Sequence, residues 1–77
     1  MHHFLIRIAS RSQIQAFVNL AMVQPFDVLV GNEKQQCNGK SFMGMFSLDY
    51  TRPVQVSVKC SEEEFSRFRQ EAAAFLA

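Results

Sequence analysis

Residues 38–48, with the sequence NGKSFMGMFSL, place one serine hydroxyl among several large apolar side chains. Asn and Gly favour a tight turn, and Ser41 is a good helix N-cap because its hydroxyl accepts N–H bonds from the first turn. Phe42, Met43 and Phe46 follow within a turn, and so short a helix cannot bury all three. This pattern favours a protein-docking surface with a modifiable hydroxyl at its centre. The alternative is that Ser41 only caps the helix.

The other residue types form no catalytic or metal-binding constellation. Cys37 and Cys60 do not make a disulfide framework, and we predict that both are buried or half-buried free thiols. No Cys-x-x-Cys pair or Cys/His cluster is present, so we expect no metal and no cofactor. Gly39-Lys40-Ser41 lacks the upstream glycine spacing of a phosphate-binding loop. We therefore predict that the chain is not an enzyme.

Length and charge limit the possible functions further. The chain has 77 residues, of which 48% are hydrophobic and eight are Phe, which suits one small domain over residues 1–77. The net charge is +1 and the basic residues are scattered, so we expect neither nucleic-acid nor membrane binding. No apolar run approaches the roughly 20 residues of a membrane span, and no signal peptide is evident. We expect a cytoplasmic protein.

Hydrophobic periodicity predicts seven elements in the order β-α-β-β-α-β-α. Ser10 and Ser61 are predicted to begin the first and last helices, the latter with a Ser61–Glu64 capping box, and Ser41 begins a short helix over residues 41–48. This order is typical of an α+β open-faced sandwich, with a four-stranded sheet and three helices on one face. Period-two alternation places the strands at residues 4–8, 27–30, 34–37 and 54–60.

The segment around Ser41 resembles the HPr family, the small phosphocarrier proteins of the bacterial sugar phosphotransferase system. In its Gram-positive members, Lys-Ser-x-Met-Gly-x-x-Ser-Leu opens the second helix. The residues that match are Lys40, Ser41, Met43, Gly44, Ser47 and Leu48. Weaker similarity, at Phe17-Val18, Ala21 and Phe26-Asp27-Val28, extends the resemblance over residues 4–77. It implies the HPr fold, in agreement with the periodicity, and makes Ser41 the equivalent of the family's regulatory serine.

The family's phosphocarrier site, a His-Thr-Arg-Pro stretch after the first strand, has no equivalent here. The corresponding segment is a few residues shorter, and the resemblance places Ser10 at the histidine position and Ser12 at the arginine position. A serine hydroxyl needs an activating base, whereas neutral imidazole is abundant near pH 7. His2 and His3 lie at the other end of the first strand, where we expect them to be exposed. Thr51-Arg52-Pro53 repeats part of the motif before the fourth strand, and we interpret it as a coincidence.

These observations favour an HPr-like regulatory or binding module without phosphohistidine chemistry, similar to the catabolite-repression HPr paralogues that lack the histidine. The resemblance implies a kinase that phosphorylates Ser41. It also implies a protein partner, either a transcriptional regulator or a component of the phosphotransferase system. The residues predicted to contact that partner are Lys40, Phe42, Met43, Phe46 and Arg11.

Two alternative functions remain open. One is a phosphocarrier with an unusual site, which the motif around Ser41 supports and the absent histidine opposes. The other is a plain protein-interaction or oligomerisation domain, since Leu29 should point to the open face of the sheet and Leu5 could join it there. The oligomeric state itself cannot be derived from the sequence.

Overall fold

The elements follow one another in the predicted order, and the computed structural model describes all 77 residues. The α+β class and the β-α-β-β-α-β-α order are confirmed. A short 3₁₀ turn, Ala73–Phe75, follows the last helix. None of the helices is long and apolar enough to cross a membrane. The elements are β1 His2–Ile6, α1 Arg11–Met22, β2 Val28–Gly31, β3 Gln36–Asn38, α2 Phe42–Phe46, β4 Val54–Val58 and α3 Glu62–Glu71.

The sheet is antiparallel throughout and has the strand order β1-β4-β2-β3. The two interior strands are β4 and β2, and the valines of β4 are all buried. Val56 pairs with Phe4 of β1 on one side and with Val30 of β2 on the other. Because directly paired residues point to the same side of a sheet, this register gathers aromatic and β-branched side chains on one face, which forms the floor of the core.

The apolar faces of α1 and α3 cover that floor. Phe68 of α3 is fully buried, and its ring contacts the rings of Phe4 at 5.7 Å, Phe17 at 6.2 Å and Phe26 at 5.6 Å between centroids. The capping box predicted at the start of α3 is present, with the Ser61 hydroxyl accepting the Glu64 N–H at 3.1 Å. The first helix supplies Ile14, Phe17, Val18 and Ala21 to the core.

The first strand lies two residues earlier than predicted. The alternation itself is as expected, because Phe4, Ile6 and Ile8 are buried. However, the ladder between β1 and β4 ends at the pair Ile6–Val54. The next residue of the partner strand is Pro53, which has no N–H to donate. After Ile6 the chain pairs instead with the C-terminal segment on the opposite edge of β1, where the Arg7 N–H donates to the Phe75 carbonyl at 2.7 Å.

The other boundaries differ by a few residues. The fourth strand ends at Val58 rather than at Cys60, and Cys60 packs half-buried against the core. The third strand is Gln36–Asn38 rather than residues 34–37. The predicted helix over 41–48 is only the five residues Phe42–Phe46. The last turn is tightened there, because the Ser47 N–H and the Ser47 hydroxyl both donate to the Gly44 carbonyl, at 3.1 Å and 2.6 Å.

Candidate functional site

Ser41 is the N-cap of α2, as predicted, with extended backbone angles of φ −111° and ψ 119°. Its hydroxyl accepts the Gly44 N–H at 3.2 Å, and its carbonyl accepts the Met45 N–H at 3.0 Å. The side chain is half-buried. Because α2 has only five residues, its dipole is smaller than the predicted helix would have. A group attached to Ser41 would therefore be stabilised chiefly by nearby N–H groups and by side-chain charges.

A tight turn before α2 fixes the position of Ser41. The Asn38 side chain accepts the Lys40 N–H at 2.9 Å, and its carbonyl accepts the Ser41 N–H at 3.0 Å. Gly39 is buried, and its N–H donates to the Val28 carbonyl at 2.7 Å. A Cβ at Gly39 would lie 2.8 Å from Val28 Cγ1, so the position needs glycine for space rather than for a positive φ.

The large side chains of α2 divide between the core and the surface. Met45 is fully buried, and Phe42 is half-buried. Met43 is 82% exposed and Phe46 is 46% exposed. The rings of Phe42 and Phe46 stack with centroids 6.5 Å apart. The surface that Met43, Phe46 and the edge of Phe42 form is called the α2 apolar surface below.

The two basic residues predicted to contact a partner take different positions. The Arg11 guanidinium, at the start of α1, lies 5.7 Å from the centroid of the Phe46 ring, within the range of a cation–π contact. The Lys40 ammonium instead donates to the Gln24 carbonyl at 2.9 Å, just after α1. The fold thus joins the start of α1 to the α2 apolar surface through Arg11, while Lys40 braces α2 against the chain that follows α1.

Ser10 and Ser12 lie together at the start of α1, with their hydroxyls 3.0 Å apart. Ser10 is the N-cap, and its hydroxyl accepts the Gln13 N–H at 3.3 Å. The Gln13 side chain accepts the Ala9 N–H at 2.6 Å, one residue before the position that a standard capping box would use. These contacts give both hydroxyls a structural role at the helix start.

Both histidines lie at the start of β1, at the end of the strand away from Ser10. The His3 ring is exposed as predicted, with Nδ1 3.0 Å from the Ser57 hydroxyl and 2.7 Å from the Gln55 amide nitrogen. The expectation that His2 is exposed is wrong. Its ring stacks on Phe65 with centroids 4.5 Å apart, which leaves it half-buried.

The two thiols are free and half-buried, as predicted. Burial raises the pKa of Cys37, whose Sγ lies 3.8 Å from Met45 Sδ beneath α2. Burial also raises the pKa of Cys60, and the nearby Glu64 charge adds to the shift. Both groups are therefore protonated near neutral pH and are weak nucleophiles. No three His, Cys, Asp or Glu side chains are grouped as a metal site would need.

The fold also forms a cleft that the sequence did not reveal. Two connections, one between β1 and α1 and one between α2 and β4, border an open, shallow cleft of about 490 Å³. Thr51-Arg52-Pro53 lines this cleft together with Arg7 and Ser10, so residues that are far apart in the sequence meet here. The only sequence signal was the partial motif Thr51-Arg52-Pro53, which carries no information about its neighbours in space.

Comparison with known proteins identifies the fold. The crystal structure of HPr-C-His from Thermoanaerobacter tengcongensis is similar to this chain, with a TM-score of 0.71 and 25% sequence identity. The similarity covers 94% of this chain and 90% of that chain. No family model matches the sequence, and no curated protein matches it. The chain thus has an HPr-like fold, as both the element order and the resemblance around Ser41 predicted.

Proposed function

We propose that this chain is a regulatory or binding module on an HPr-like scaffold, and that it does not carry a phosphohistidine. In this proposal a protein partner docks on the α2 apolar surface, and phosphorylation of Ser41 controls that docking. The observation that carries the proposal is that Ser41 caps the same short helix, α2, that exposes Met43 and Phe46, with Arg11 lying over the Phe46 ring.

The chemistry of the α2 apolar surface supports regulation by phosphate. A phosphoryl group would add about 1.5–2 negative charges at Ser41. It would meet the N–H groups of the first turn of α2, and Lys40 could leave the Gln24 carbonyl to pair with it. A partner that offers an arginine and an apolar pocket would then contact the phosphate and the adjacent Met43 at once.

The positions of the histidines support the absence of carrier chemistry. His2 and His3 lie at the far end of β1 from Ser10, the position that the resemblance assigns to the carrier histidine. The Ser10 hydroxyl has Ser12 and the Gln13 N–H as hydrogen-bond partners, and neither of these is a general base. Without such a base a serine hydroxyl is a weak nucleophile for phosphoryl transfer.

The test is incubation with ATP and an HPr kinase, followed by intact-mass measurement. We expect one added phosphoryl group on the wild type and on Ser47→Ala, a matched serine in the same segment. We expect none on Ser41→Asn, which retains a capping side chain but has no hydroxyl. An unmodified wild type, or an equal mass gain in Ser41→Asn, would refute phosphorylation at Ser41. Phosphoenolpyruvate with the upstream transferase should add no acid-labile label, and a label on any residue would refute the loss of carrier activity.

The open face of the sheet favours self-association as a second candidate function. Leu5 is 50% exposed and Leu29 is 38% exposed, on the face away from the helices. Light scattering at high protein concentration distinguishes this candidate from the first. A mass above one chain that falls to one chain in Leu5→Ser would support self-association, whereas a constant single-chain mass would exclude it.

A further inference from the structure

The outer edge of β1 is only partly covered. This strand lies at one edge of the sheet, and the C-terminal segment pairs with its second half. There the Leu5 carbonyl accepts the Ala77 N–H at 3.1 Å, and the Arg7 N–H donates to the Phe75 carbonyl at 2.7 Å. The direction of the main-chain groups alternates along a strand, so those of the odd-numbered residues at this edge point away from β4.

The N–H and the carbonyl of His3 form the open half of this edge. By the same alternation they point outward, and His3 makes none of the main-chain hydrogen bonds that lie outside the regular elements. The His3 ring lies over β4 instead, where its Nδ1 contacts Ser57 and Gln55. The first half of β1 has no proline, lysine or bulge, the features that usually protect a strand edge. Such an edge is a template for one more strand.

A groove lies beside this open half, between β1 and α3. It is an open cleft of about 560 Å³, lined by His2 and by residues of α3 that include Phe65, Ser66 and Arg69. We call it the β1–α3 groove. The His2 ring stacks on the Phe65 ring with centroids 4.5 Å apart, and both side chains are half-buried. The groove therefore has an aromatic wall that a further apolar side chain can cover.

The groove is on the outer flank of α3, away from α1. The opposite flank of α3 carries Glu71, whose carboxylate accepts a hydrogen bond from the Gln24 side chain after α1 at 3.4 Å. At 100° per residue, Ser66 and Arg69 lie on the other side of the helix from Glu71. Because α1 covers one flank of α3, the groove opens toward the free edge of β1.

A strand added to this edge would send alternate side chains into the groove. The C-terminal segment runs antiparallel to β1, and a strand in the same register would place successive residues opposite Phe4, His3 and His2. Directly paired residues point to the same face of a sheet. The residues opposite Phe4 and His2 would therefore point toward Phe65, and the residue opposite His3 would point to the open face. This geometry favours apolar residues at alternating positions.

We propose that the open half of the β1 edge and the β1–α3 groove together bind an extended peptide of a protein partner, which pairs antiparallel with His3. The N–H and the carbonyl of His3 provide affinity through main-chain hydrogen bonds, and the His2–Phe65 stack selects apolar side chains. The occupant is an extended strand because the same edge already accepts one from its own chain. The site uses neither Ser41 nor α2, so it is independent of the function proposed above.

A second copy of β1 fits this edge less well than a separate peptide. If two β1 strands paired antiparallel about His3, Met1 of the second copy would lie opposite Leu5. Ala77 already occupies that position, with its N–H bonded to the Leu5 carbonyl. A short peptide avoids this overlap because it needs to cover only the open half of the edge.

The probe is the acetylated and amidated peptide Thr-Val-Thr-Val-Thr, whose central threonine would pair with His3 and whose valines would enter the groove. In a ¹H–¹⁵N NMR titration we expect a saturable downfield shift of the His3 amide proton and slower hydrogen exchange there, because this N–H gains an acceptor. The same peptide N-methylated at its central threonine cannot donate to the His3 carbonyl and should bind at least about fivefold more weakly. No saturable shift, or equal binding of the two peptides, would overturn the proposal.

The peptide Thr-Ser-Thr-Ser-Thr tests the groove separately from the edge. It keeps every main-chain group but loses the apolar side chains, so it should bind at least about fivefold more weakly than the valine peptide. Equal affinity would exclude the groove from the site and would overturn the proposal as stated.

His3→Pro and His3→Ala form a matched pair of variants. Both lose the imidazole contacts with Ser57 and Gln55, but only proline also removes the outward N–H, at an edge position where proline is tolerated. We expect His3→Ala to bind the valine peptide within about twofold of the wild type, and His3→Pro at least about fivefold more weakly. Equal binding by the two variants would contradict main-chain pairing at His3. Shifts at His3 that depend on protein concentration without peptide would show that a second copy covers the edge, and would also overturn the proposal.

Discussion

Replacing Ser41 by Ala tests whether the N-cap of α2 stabilises the fold. The change removes the acceptor of the Gly44 N–H, a half-buried hydrogen bond of 3.2 Å. Loss of a serine N-cap costs about 1 kcal/mol of unfolding free energy. Unfolding entropy is about 2.1 cal/mol/K per residue, which gives about 0.16 kcal/mol/K for 77 residues. We therefore expect Ser41→Ala to lower the melting temperature by about 6 °C.

Urea unfolding at pH 7 measures this loss, with Ser41→Asn and Ser41→Asp as controls. Both controls keep a capping oxygen, so their midpoints should lie closer to the wild type than that of Ser41→Ala does. The reasoning would be refuted if Ser41→Ala matched the wild type, or if all three variants lost the same stability. The comparison also separates the two roles proposed for Ser41, since Ser41→Asn removes the proposed phosphorylation site but keeps the cap.

Three further predictions concern packing and titration. Gly39→Ala should lose about 1–3 kcal/mol of unfolding free energy, measured with urea, because the new Cβ would lie 2.8 Å from Val28 Cγ1. A variant as stable as the wild type would contradict this prediction. Phe68→Ala should lose about 3–5 kcal/mol of unfolding free energy in the same assay, because the fully buried ring leaves a cavity. A loss below about 2 kcal/mol would contradict this and would show that neighbouring side chains fill the cavity. Burial raises the pKa of Tyr50, the only tyrosine, to about 12. The absorbance of the ionised phenol should therefore rise with a midpoint near pH 12, and a midpoint near pH 10 would refute this prediction. Because the unfolded phenol ionises near 10, stability should fall as pH rises from about 10 to about 12, and Tyr50→Phe should make this fall smaller.

Much of the fold could be predicted because local chemistry and tertiary packing agree. The Ser61–Glu64 pair and the acidic first turn fix the start of α3 without help from other elements. Strict alternation in 54–58 predicts a strand with one apolar face, and β4 is an interior strand of the sheet. Such signals depend on neighbouring residues alone, and they are therefore readable from the sequence.

Boundaries set by distant or competing contacts could not be predicted. The pairing between β1 and β4 ends at Ile6 because Pro53, far along the chain, lies next on the partner strand. At the end of α2 the Ser47 and Leu48 N–H groups donate to the carbonyls three residues earlier, and this tightened turn leaves no sequence pattern. In both cases the hydrophobic pattern continues past the observed end, so the pattern alone gives a longer element.

The candidate sites also contain some features that the sequence predicts and others that only the folded structure shows. The exposure of Met43 and the cap at Ser41 follow from the local sequence around α2. The contact between Arg11 and Phe46 depends on how α1 packs beside α2, and the cleft at Thr51-Arg52-Pro53 depends on two connections that meet only in the folded chain. Periodicity does not encode which side chains of different elements become neighbours.

The packing of α1 beside α2 explains how the α2 apolar surface is held in place. Arg11 reaches Phe46 because α1 is held by its buried stripe and capped by Ser10, and neither feature needs an imidazole. Lys40 fixes the other end of the same helix pair through the Gln24 carbonyl. The α2 apolar surface therefore rests on the packing of α1 and on the helix caps at Ser10 and Ser41, and none of these contacts involves an imidazole.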